Sequence, residues 1–372
     1  MPDHAALLLP AKRADLVVAT APEVAPGPGE IAVRARAVAV NPFDRYVQAI
    51  GDVITGYLAY PAVLGTDVAG EVVAVGAGVT RFRVGDRVLG HAAALEKSRN
   101  RAAEGAFQER VLLLAHMASP IPDALPFEDA AVLPLGLSTA AIALFQRDML
   151  ALAPPRLDPE PKAEVVLVWG GSTSVGSNAI QLARAAGYEV IATCGPRNVD
   201  YVRRLGAGDA FDYASARVRD DVVAALRGRR CAGAVSIGKG SAAACMDILA
   251  RCEGRRFVAQ VTPPTSFDDV PPGRGRWRRL LPAMARMVSG NVSLALRAQR
   301  RGVASRMVWG GSLLGNEVGP LVYETFLPEA LARGRYEAAP APLVVGHGLE
   351  HVPAALDRQG RGVSAAKLVV TL

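Results

Sequence analysis

One segment of the chain, residues 165–183, has the pattern of a buried strand, a loop rich in glycine and hydroxyl groups, and a helix. The strand, Val165–Trp169, is continuously apolar, as expected for a parallel strand covered on both faces. A helix that begins directly after a glycine-rich turn directs unpaired backbone N–H groups toward an anion. The segment therefore predicts a loop that binds the pyrophosphate of a dinucleotide, and an ordinary strand-to-helix turn is the alternative.

The loop departs from the usual G-x-G-x-x-G pattern. Gly171 and Gly176 keep the outer spacing, but Thr173 takes the middle position. Serine and threonine hydroxyl groups would therefore join backbone amides in holding phosphate. We expect these contacts from Ser172, Thr173, Ser174 and Val175.

Strand and helix patterns alternate after Pro134, which predicts an α/β fold with a doubly wound parallel sheet. The preceding part is mostly β, with strands expected near residues 31–40, 63–75 and 87–90. The proline-rich stretch 153–161 predicts a surface loop. The last residues, Leu368–Leu372, predict a strand that returns to the N-terminal β part.

A length of 372 residues is enough for two domains with their own cores, and a composition of 51% apolar and 21% charged residues fits a compact protein. No run approaches the ~20 unbroken apolar residues of a membrane span, and no signal-type start is recognised, so we expect a cytoplasmic protein. The four cysteines lack metal or redox spacing and are expected to be free, buried thiols.

The net charge of +7 is concentrated in one segment. Residues 271–316 hold nine arginines, from Arg274 to Arg306, and no acid, which leaves a net −2 on the rest of the chain. Nucleic-acid binding is not favoured, since only Trp277 and Trp309 could stack on bases there. A solvated helix face is the simplest interpretation. Apolar residues at helical spacing in this segment are expected to be core contacts: Leu280, Leu281, Met284, Met287 and Val288.

Several short sequence motifs, in the order in which they occur along the chain, resemble those of the medium-chain dehydrogenase/reductase superfamily. They are Asn41–Asp44, Pro61–Gly76, Phe82–Val88, Gly105–Phe107, Leu133–Ala140 and Val363–Val369. The resemblance implies a GroES-like β domain formed by residues 1–129 and 331–372, and a Rossmann domain formed by residues 130–330. It also implies an active site between the two.

Zinc ligands of the family's alcohol dehydrogenases are missing. Those enzymes have a cysteine where this chain has Asn41, and a Gly-His-Glu phrase where it has Gly65, Thr66 and Asp67. No cysteine precedes Cys194, so the family's structural zinc lobe cannot form. His347 and His351 stand four apart, but the glycines beside them favour a turn. We expect no metal, and therefore hydride transfer to an activated C=C bond.

The resemblance is closer to the zinc-free quinone oxidoreductases and trans-acting enoyl reductases, on the phrase Tyr60–Gly70 and the Gly-Gly-Ser-Thr loop. Some relatives carry a proton-donating tyrosine at a position that falls near Val53, with Tyr46, Tyr57 and Tyr60 close by. Solvent is the alternative donor. The candidate catalytic residues are Asn41, Asp44 and Tyr57, although Asn41 could simply shape a turn.

The cofactor is expected to be NADPH. The second strand of the predicted nucleotide-binding sheet ends near Cys194 without the acid that would bind an NAD ribose, and Arg197 follows it. A solvated arginine is the alternative. The resemblance adds further cofactor-binding residues, namely Pro42, Arg45, Gly195, Asn198 and Tyr213, and places Ser138 and Thr139 toward the substrate. Lys367 is expected to be exposed, and a position near the phosphate or the cleft is the alternative.

The leading hypothesis is an NADPH-dependent reductase of an enoyl thioester, an enone or a quinone. One alternative is a non-catalytic NADPH-binding protein, similar to crystallin-like members of the quinone reductase branch, which could bind RNA through Arg274–Arg306. Another is a trans-enoyl reductase that docks an acyl carrier protein on the same arginines. A monomer and a homodimer both stay open, and no membrane contact is expected.

Overall fold

The computed structural model describes residues 3–267, 270 and 275–372, so Arg274 of the basic segment lies outside the described residues. The strands are β1 His4–Leu9, β2 Val17–Ala21, β3 Glu30–Ala39, β4 Ala62–Val63, β5 Asp67–Val75, β6 Arg87–His91, β7 Arg110–Leu114, β8 Ala118–Pro120, β9 Glu164–Trp169, β10 Glu189–Cys194, β11 Asp209–Asp212, β12 Arg230–Ser236, β13 Phe257–Gln260, β14 Ala304–Met307, β15 Ala341–His347 and β16 Ala366–Thr371. The helices are α1 Pro42–Ile54, α2 Phe127–Ala130, α3 Pro134–Phe145, α4 Ser174–Ala185, α5 Val199–Arg204, α6 Val218–Ala225, α7 Ser241–Leu249, α8 Arg276–Arg301, α9 Leu327–Ala332 and α10 Val352–Gly360.

The chain forms two compact units. The first comprises the described residues within 1–135, 268–279 and 323–372, and the second those within 136–267 and 280–322. Each unit has an apolar core of its own: Phe107 and Leu113 are typical of the first, and Leu167 and Met246 of the second. Segments from both ends of the chain therefore build the first unit around one core.

The first unit is a β structure with two sheets. One has the strand order β2-β1-β4, and the other has the order β15-β16-β3-β5-β6-β8, with β7 also paired to β3. The C-terminal strand β16 pairs antiparallel with β3 and parallel with β15. The predicted return of the chain terminus to the N-terminal β part is confirmed.

The second unit contains a parallel sheet in the order β11-β10-β9-β12-β13-β14. The strand order reverses on either side of β9, as in a doubly wound nucleotide-binding sheet. Strand β9 is buried along nearly its whole length, which explains its unbroken apolar sequence. The predicted fold class, a GroES-like β domain with a Rossmann sheet, is confirmed.

Two local predictions have different outcomes. Residues 153–161 form no regular element, as their prolines predict. In α8, by contrast, Leu280 is buried and Met287 half-buried, whereas Leu281, Met284 and Val288 are exposed. The expectation that this stripe makes core contacts is wrong for those three residues. The helix packs against the fold through a different face, which contains the buried Leu280 and Ala283.

The thiols are free, as predicted: Cys194, Cys231 and Cys245 are buried and Cys252 is half-buried. Among the described residues, one helical segment, Phe127–Phe145, has the length and composition to cross a membrane. Within the fold 78% of it is buried, as expected for a core helix.

Candidate functional site

The carboxyl ends of the parallel strands form one edge of the second unit. Trp169 at the end of β9 pairs in register with Thr193 of β10 and Ser236 of β12. The loops that follow these strands therefore emerge side by side. Open parallel sheets bind ligands in this position, beyond the carboxyl ends of their strands where the order reverses.

The loop between β9 and α4 is shaped by two glycines. Gly170 has φ +87°, a left-handed conformation that other residues rarely adopt. A Cβ atom at Gly176 would lie 2.2 Å from the Gly170 carbonyl oxygen. Residue 176 must therefore be glycine for α4 to begin this close to the strand.

Thr173 caps α4 rather than pointing a free hydroxyl outward. Its Oγ1 accepts the Gly176 N–H at 3.0 Å and donates to the Gly170 carbonyl oxygen at 2.8 Å. A hydroxyl has one proton, so Thr173 has none left for a phosphate oxygen, which only accepts. The expected hydroxyl contact from Thr173 therefore reduces to shaping the loop.

Other groups at the start of α4 are open to an anion. The first-turn N–H groups of Ser174 and Val175 have no acceptor within the helix. The Ser174 hydroxyl is buried and has no hydrogen-bond partner among the described residues. Ser172 Oγ accepts from Asn198 Nδ2 at 3.2 Å, which links the loop to the end of β10. These donors fit a pyrophosphate group.

The end of β10 presents a free cation. Arg197 is exposed, and its guanidinium forms no ion pair within the described part of the chain. The Tyr213 hydroxyl lies 3.9 Å from the position that a Cβ atom on Gly195 would take, so two more predicted cofactor residues meet here. The structure thus brings together Ser172, Gly195, Arg197, Asn198 and Tyr213 at one edge.

Two further loops at this edge were missed by sequence reasoning. After β12, the Gly238 N–H donates to Thr262 Oγ1 at 2.9 Å, and Ser241 Oγ donates to the Gly238 carbonyl oxygen at 2.6 Å. These residues follow the carboxyl ends of β12 and β13. That position, rather than any motif, is the signal that could have indicated them.

The first unit holds a cluster of buried polar side chains centred on Asp67. Its Oδ1 accepts the Leu135 N–H at 2.6 Å, and its Oδ2 accepts from Asn41 Nδ2 at 2.9 Å and pairs with the Lys367 ammonium. Asn41 Nδ2 also lies 3.1 Å from Thr66 Oγ1. One carboxylate therefore ties together the segments before α1, at the start of α3 and in β16.

Strand register explains why these distant residues meet. Ala39, at the end of β3, pairs with Asp67 on one side and with Val369 on the other. Asn41 and Lys367 stand two residues from that line, so the antiparallel sheet brings both to the Asp67 carboxylate. The expectation that Lys367 is exposed is wrong, because the sheet buries it beside an acid.

Two titratable groups in the cluster have shifted pKa values. Burial, together with the nearby Asp67 charge, raises the pKa of Asp44 to about 7, although its Oδ2 accepts the Asn41 N–H at 2.8 Å. Burial lowers the pKa of His91 to about 4, with the Lys367 ammonium acting in the same direction. At neutral pH, His91 is therefore uncharged, and Asp44 keeps its proton to a far higher pH than an ordinary aspartate.

Other predicted residues have contacts outside the hydrogen bonds of Asp67. The Tyr57 hydroxyl donates to the Leu95 carbonyl oxygen at 2.7 Å, and burial raises its pKa. Pro42 is exposed at the first turn of α1, and the Arg45 guanidinium packs against Gly360 of α10. On α3, Ser138 and Thr139 are buried. Their expected role toward the substrate stays a prediction.

Metal-ligating side chains do not gather in the described part of the chain: no three of its histidine, cysteine and acidic residues are placed to hold a metal ion. His347 lies at the end of β15 with Nδ1 3.2 Å from Thr371 Oγ1, and His351 lies in the turn before α10. At Asn41, Thr66 and Asp67, the donors are an amide, a hydroxyl and a carboxylate already paired with an ammonium group. That donor set does not fit zinc, which is held by thiolates, imidazoles and free carboxylates.

A family model, the alcohol dehydrogenase GroES-like domain, matches residues 27–123. Over the full lengths of both chains, the protein is 45% identical to a dehydrogenase, pigH, of Monascus ruber. It is 40% identical to a protein of Emericella nidulans named as a zinc-binding alcohol dehydrogenase domain-containing protein, cipB, over 99% of this chain and 98% of that one. It is 36% identical to the trans-enoyl reductase himH of Aspergillus japonicus, over 92% of this chain and 90% of that one.

Solved structures share the fold at lower identity. An alcohol dehydrogenase superfamily protein from Novosphingobium aromaticivorans matches with a TM-score of 0.72 and 23% identity over 99% of each chain. The quinone oxidoreductase from Coxiella burnetii matches with a TM-score of 0.68 and 19% identity over 100% of each chain. Both likenesses concern the fold alone.

Proposed function

The chain belongs to the medium-chain dehydrogenase/reductase superfamily and is an oxidoreductase of that type, and we propose that it uses NADPH to reduce the C=C bond of an α,β-unsaturated thioester without a metal ion. Relatives named as trans-enoyl reductases, such as himH, support the thioester as substrate. An enone or a quinone has the same activated double bond and is the next substrate class to test.

The observation that carries the reaction type is the Asp67–Lys367 ion pair beside Asn41 and Thr66. An ammonium group that already neutralises the carboxylate would also repel a divalent cation at that place. Without a Lewis acid to stabilise an alkoxide, the easier acceptor of hydride is a conjugated one, whose carbonyl spreads the charge as an enolate. The protein is therefore proposed to be an alkene reductase rather than an alcohol dehydrogenase.

The choice of NADPH rests on the end of β10. An exposed guanidinium at Arg197 offers a planar fork for a 2′-phosphate, and the strand ends in Thr193 and Cys194 rather than an acid. The α4 terminus, with the N–H groups of Ser174 and Val175 and the unpartnered Ser174 hydroxyl, would hold the pyrophosphate.

When bound, NADPH would supply the hydride, which adds to the β-carbon of the thioester. The π electron pair of the C=C bond then forms an enolate, whose charge is shared by the α-carbon and the carbonyl oxygen. A proton that adds to the α-carbon completes the reduction. We assign that proton to solvent, because the Tyr57 hydroxyl proton is held by the Leu95 carbonyl oxygen. Asn41 and Asp44 are buried and bonded within the fold, so they act as positioning residues.

Purified protein, with and without chelator treatment, would be assayed with NADPH and crotonyl pantetheine, an enone or a quinone, and separately with NADP⁺ and a primary alcohol. We expect loss of NADPH absorbance with the thioester, a smaller rate with NADH, and no effect of the chelator. Zinc-dependent alcohol oxidation, or no turnover of the thioester, the enone or the quinone, would contradict the proposal. Binding of NADPH without turnover would instead support the non-catalytic alternative.

A further inference from the structure

Helix α8 has an apolar face that the fold leaves uncovered. Five of its side chains are between 38% and 64% exposed: Leu281, Met284, Val288, Val292 and Leu296. At about 100° per residue they fall within an arc about 120° wide, so they form one continuous stripe along four turns. Leu280 and Ala283, on the face that packs against the fold, are buried. A stripe of this size on a surface helix is typical of an interaction site.

Arginines lie to one side of the stripe, Arg300 about 40° and Arg286 about 80° beyond its edge at Leu296 around the helix. Arg286 and Arg300 are exposed, and a shallow groove of about 600 Å³ runs along the same turns between Val292, Leu296 and Arg300. Residues 271–316 contain no acid to neutralise them locally. The stripe therefore combines aliphatic contact area with uncompensated positive charge.

Other arginines of the basic segment have structural roles. Arg297 and Arg301 both pair with Asp247 of α7, as does Arg219 of α6. Arg306 pairs with Asp148. These pairs fix the C-terminal half of α8 on the second unit and keep the stripe on its outer side. The exposed arginines of α8 that these pairs leave available to a partner include Arg278, Arg286 and Arg300.

We propose that the stripe Leu281–Leu296, together with Arg286 and Arg300, docks an acidic amphipathic helix of the carrier protein that delivers the thioester. The proposal rests on the proposed function, since a carrier protein is one of the groups that can present a thioester. An amphipathic helix lays its apolar residues at three- and four-residue spacing along such a face. Acidic residues on its flank would meet the arginines, which raises the rate of encounter.

A second copy of this chain does not suit the stripe. Two α8 helices packed antiparallel through it would bring the arginines of both copies to the same margin of the contact, and like charges in contact oppose association. An anionic membrane surface has the required charge and is kept as an outcome of the test.

The test compares one acyl group on two carriers. Crotonyl thioester would be presented on a stand-alone, acidic acyl carrier protein and on pantetheine, with the wild type and three variants. These are Arg286→Glu with Arg300→Glu, Val288→Ser with Val292→Ser, and Arg227→Glu as a matched control. Arg227 is an exposed arginine beyond the end of α6. Binding of labelled carrier, followed by fluorescence anisotropy, is measured in parallel.

We expect both α8 variants to lower kcat/KM about tenfold for the carrier thioester and to leave kcat/KM for the pantetheine thioester unchanged, because both change only the proposed docking surface. A surface charge acts mainly on the rate of encounter. Carrier binding should fall in parallel, higher salt should reproduce the effect in the wild type, and Arg227→Glu should do nothing.

Equal losses on both substrates, unchanged carrier binding in the variants, or no preference of the wild type for the carrier would overturn the docking proposal. So would variants that lose binding to anionic lipid vesicles while keeping carrier binding. If the wild type turns over neither thioester, the proposed function fails, and the anisotropy measurement still decides whether α8 docks the carrier.

Discussion

The edge of the parallel sheet and the buried cluster around Asp67 are built in opposite ways. Nineteen consecutive residues, 165–183, contain the strand, loop and helix that form most of the edge, and hydrogen bonds within residues 170–177 shape it. The cluster is assembled from Asn41, Asp67, Leu135 and Lys367: the antiparallel register brings Asn41 and Lys367 to Asp67, and the start of α3 brings Leu135. A local motif can be recognised before the fold is known, whereas a cluster of this kind exists only once the sheet has formed.

The largest effect is expected where the cluster loses its cation. Lys367→Met leaves the Asp67 carboxylate buried without a counter-ion, which should lower the free energy of unfolding by about 3–5 kcal/mol. Lys367→Met combined with Asp67→Asn should recover part of the loss, because the amide oxygen still accepts the Leu135 N–H, while the new NH2 group faces Asn41 Nδ2 and cannot accept from it. Urea denaturation of the wild type, the single variant and the double variant measures the loss of stability and its recovery. A single variant as stable as the wild type would show that the cluster does not hold the fold together.

Asp44 and His91 should give the cluster a pH dependence with two opposing parts. The pKa of Asp44 is raised to about 7 in the fold, so the folded state binds more protons and the free energy of unfolding falls as pH rises from about 4 to 7. The pKa of His91 is lowered to about 4, so its contribution rises with pH between about 4 and 6.5.

Asp44→Asn separates the two parts. It keeps an oxygen to accept the Asn41 N–H and removes the titration, so stability should rise with pH up to about 6.5 and should not fall between 6.5 and 7. Denaturation curves at several pH values test this, with Asp123→Asn, at an exposed position, as the control. Identical pH profiles for wild type and Asp44→Asn would contradict the assignment.

The same contrast explains what could be predicted from the sequence. The apolar run at residues 165–169 and the glycines after it predicted the strand, the loop and the parallel sheet, because local pattern and tertiary structure agree there. Lys367 was expected to be exposed, since nothing near it in the chain indicates that Asp67 will be its partner. The spacing of Leu281, Met284 and Val288 correctly shows that they share a helix face. Spacing cannot show whether that face meets the core or solvent.

At the edge of the parallel sheet, one added methyl group should be enough to disturb the loop between β9 and α4. Gly176→Ala places a Cβ atom 2.2 Å from the Gly170 carbonyl oxygen, so the start of α4 must shift, at a cost of about 1–3 kcal/mol. NADPH affinity should fall as well, because the N–H groups of the first turn move. Gly315→Ala is the matched control, since its Cβ atom would meet nothing within 4 Å. Equal effects of the two substitutions would mean that the loop geometry is not specified by Gly176.

The smallest effect concerns the choice of cofactor, which depends on one exposed side chain. Arg197→Ser should reduce the preference for NADPH over NADH by about tenfold, since the guanidinium at the end of β10 contributes a charge-assisted hydrogen bond of about 1.5 kcal/mol. Arg203→Ser, at an exposed position on α5, should leave the preference unchanged. The ratio of kcat/KM values for the two cofactors measures this. Loss of NADPH and NADH binding to the same extent would place Arg197 at a group that both cofactors share, such as the pyrophosphate, and the basis for NADPH selection would have to lie elsewhere along the edge.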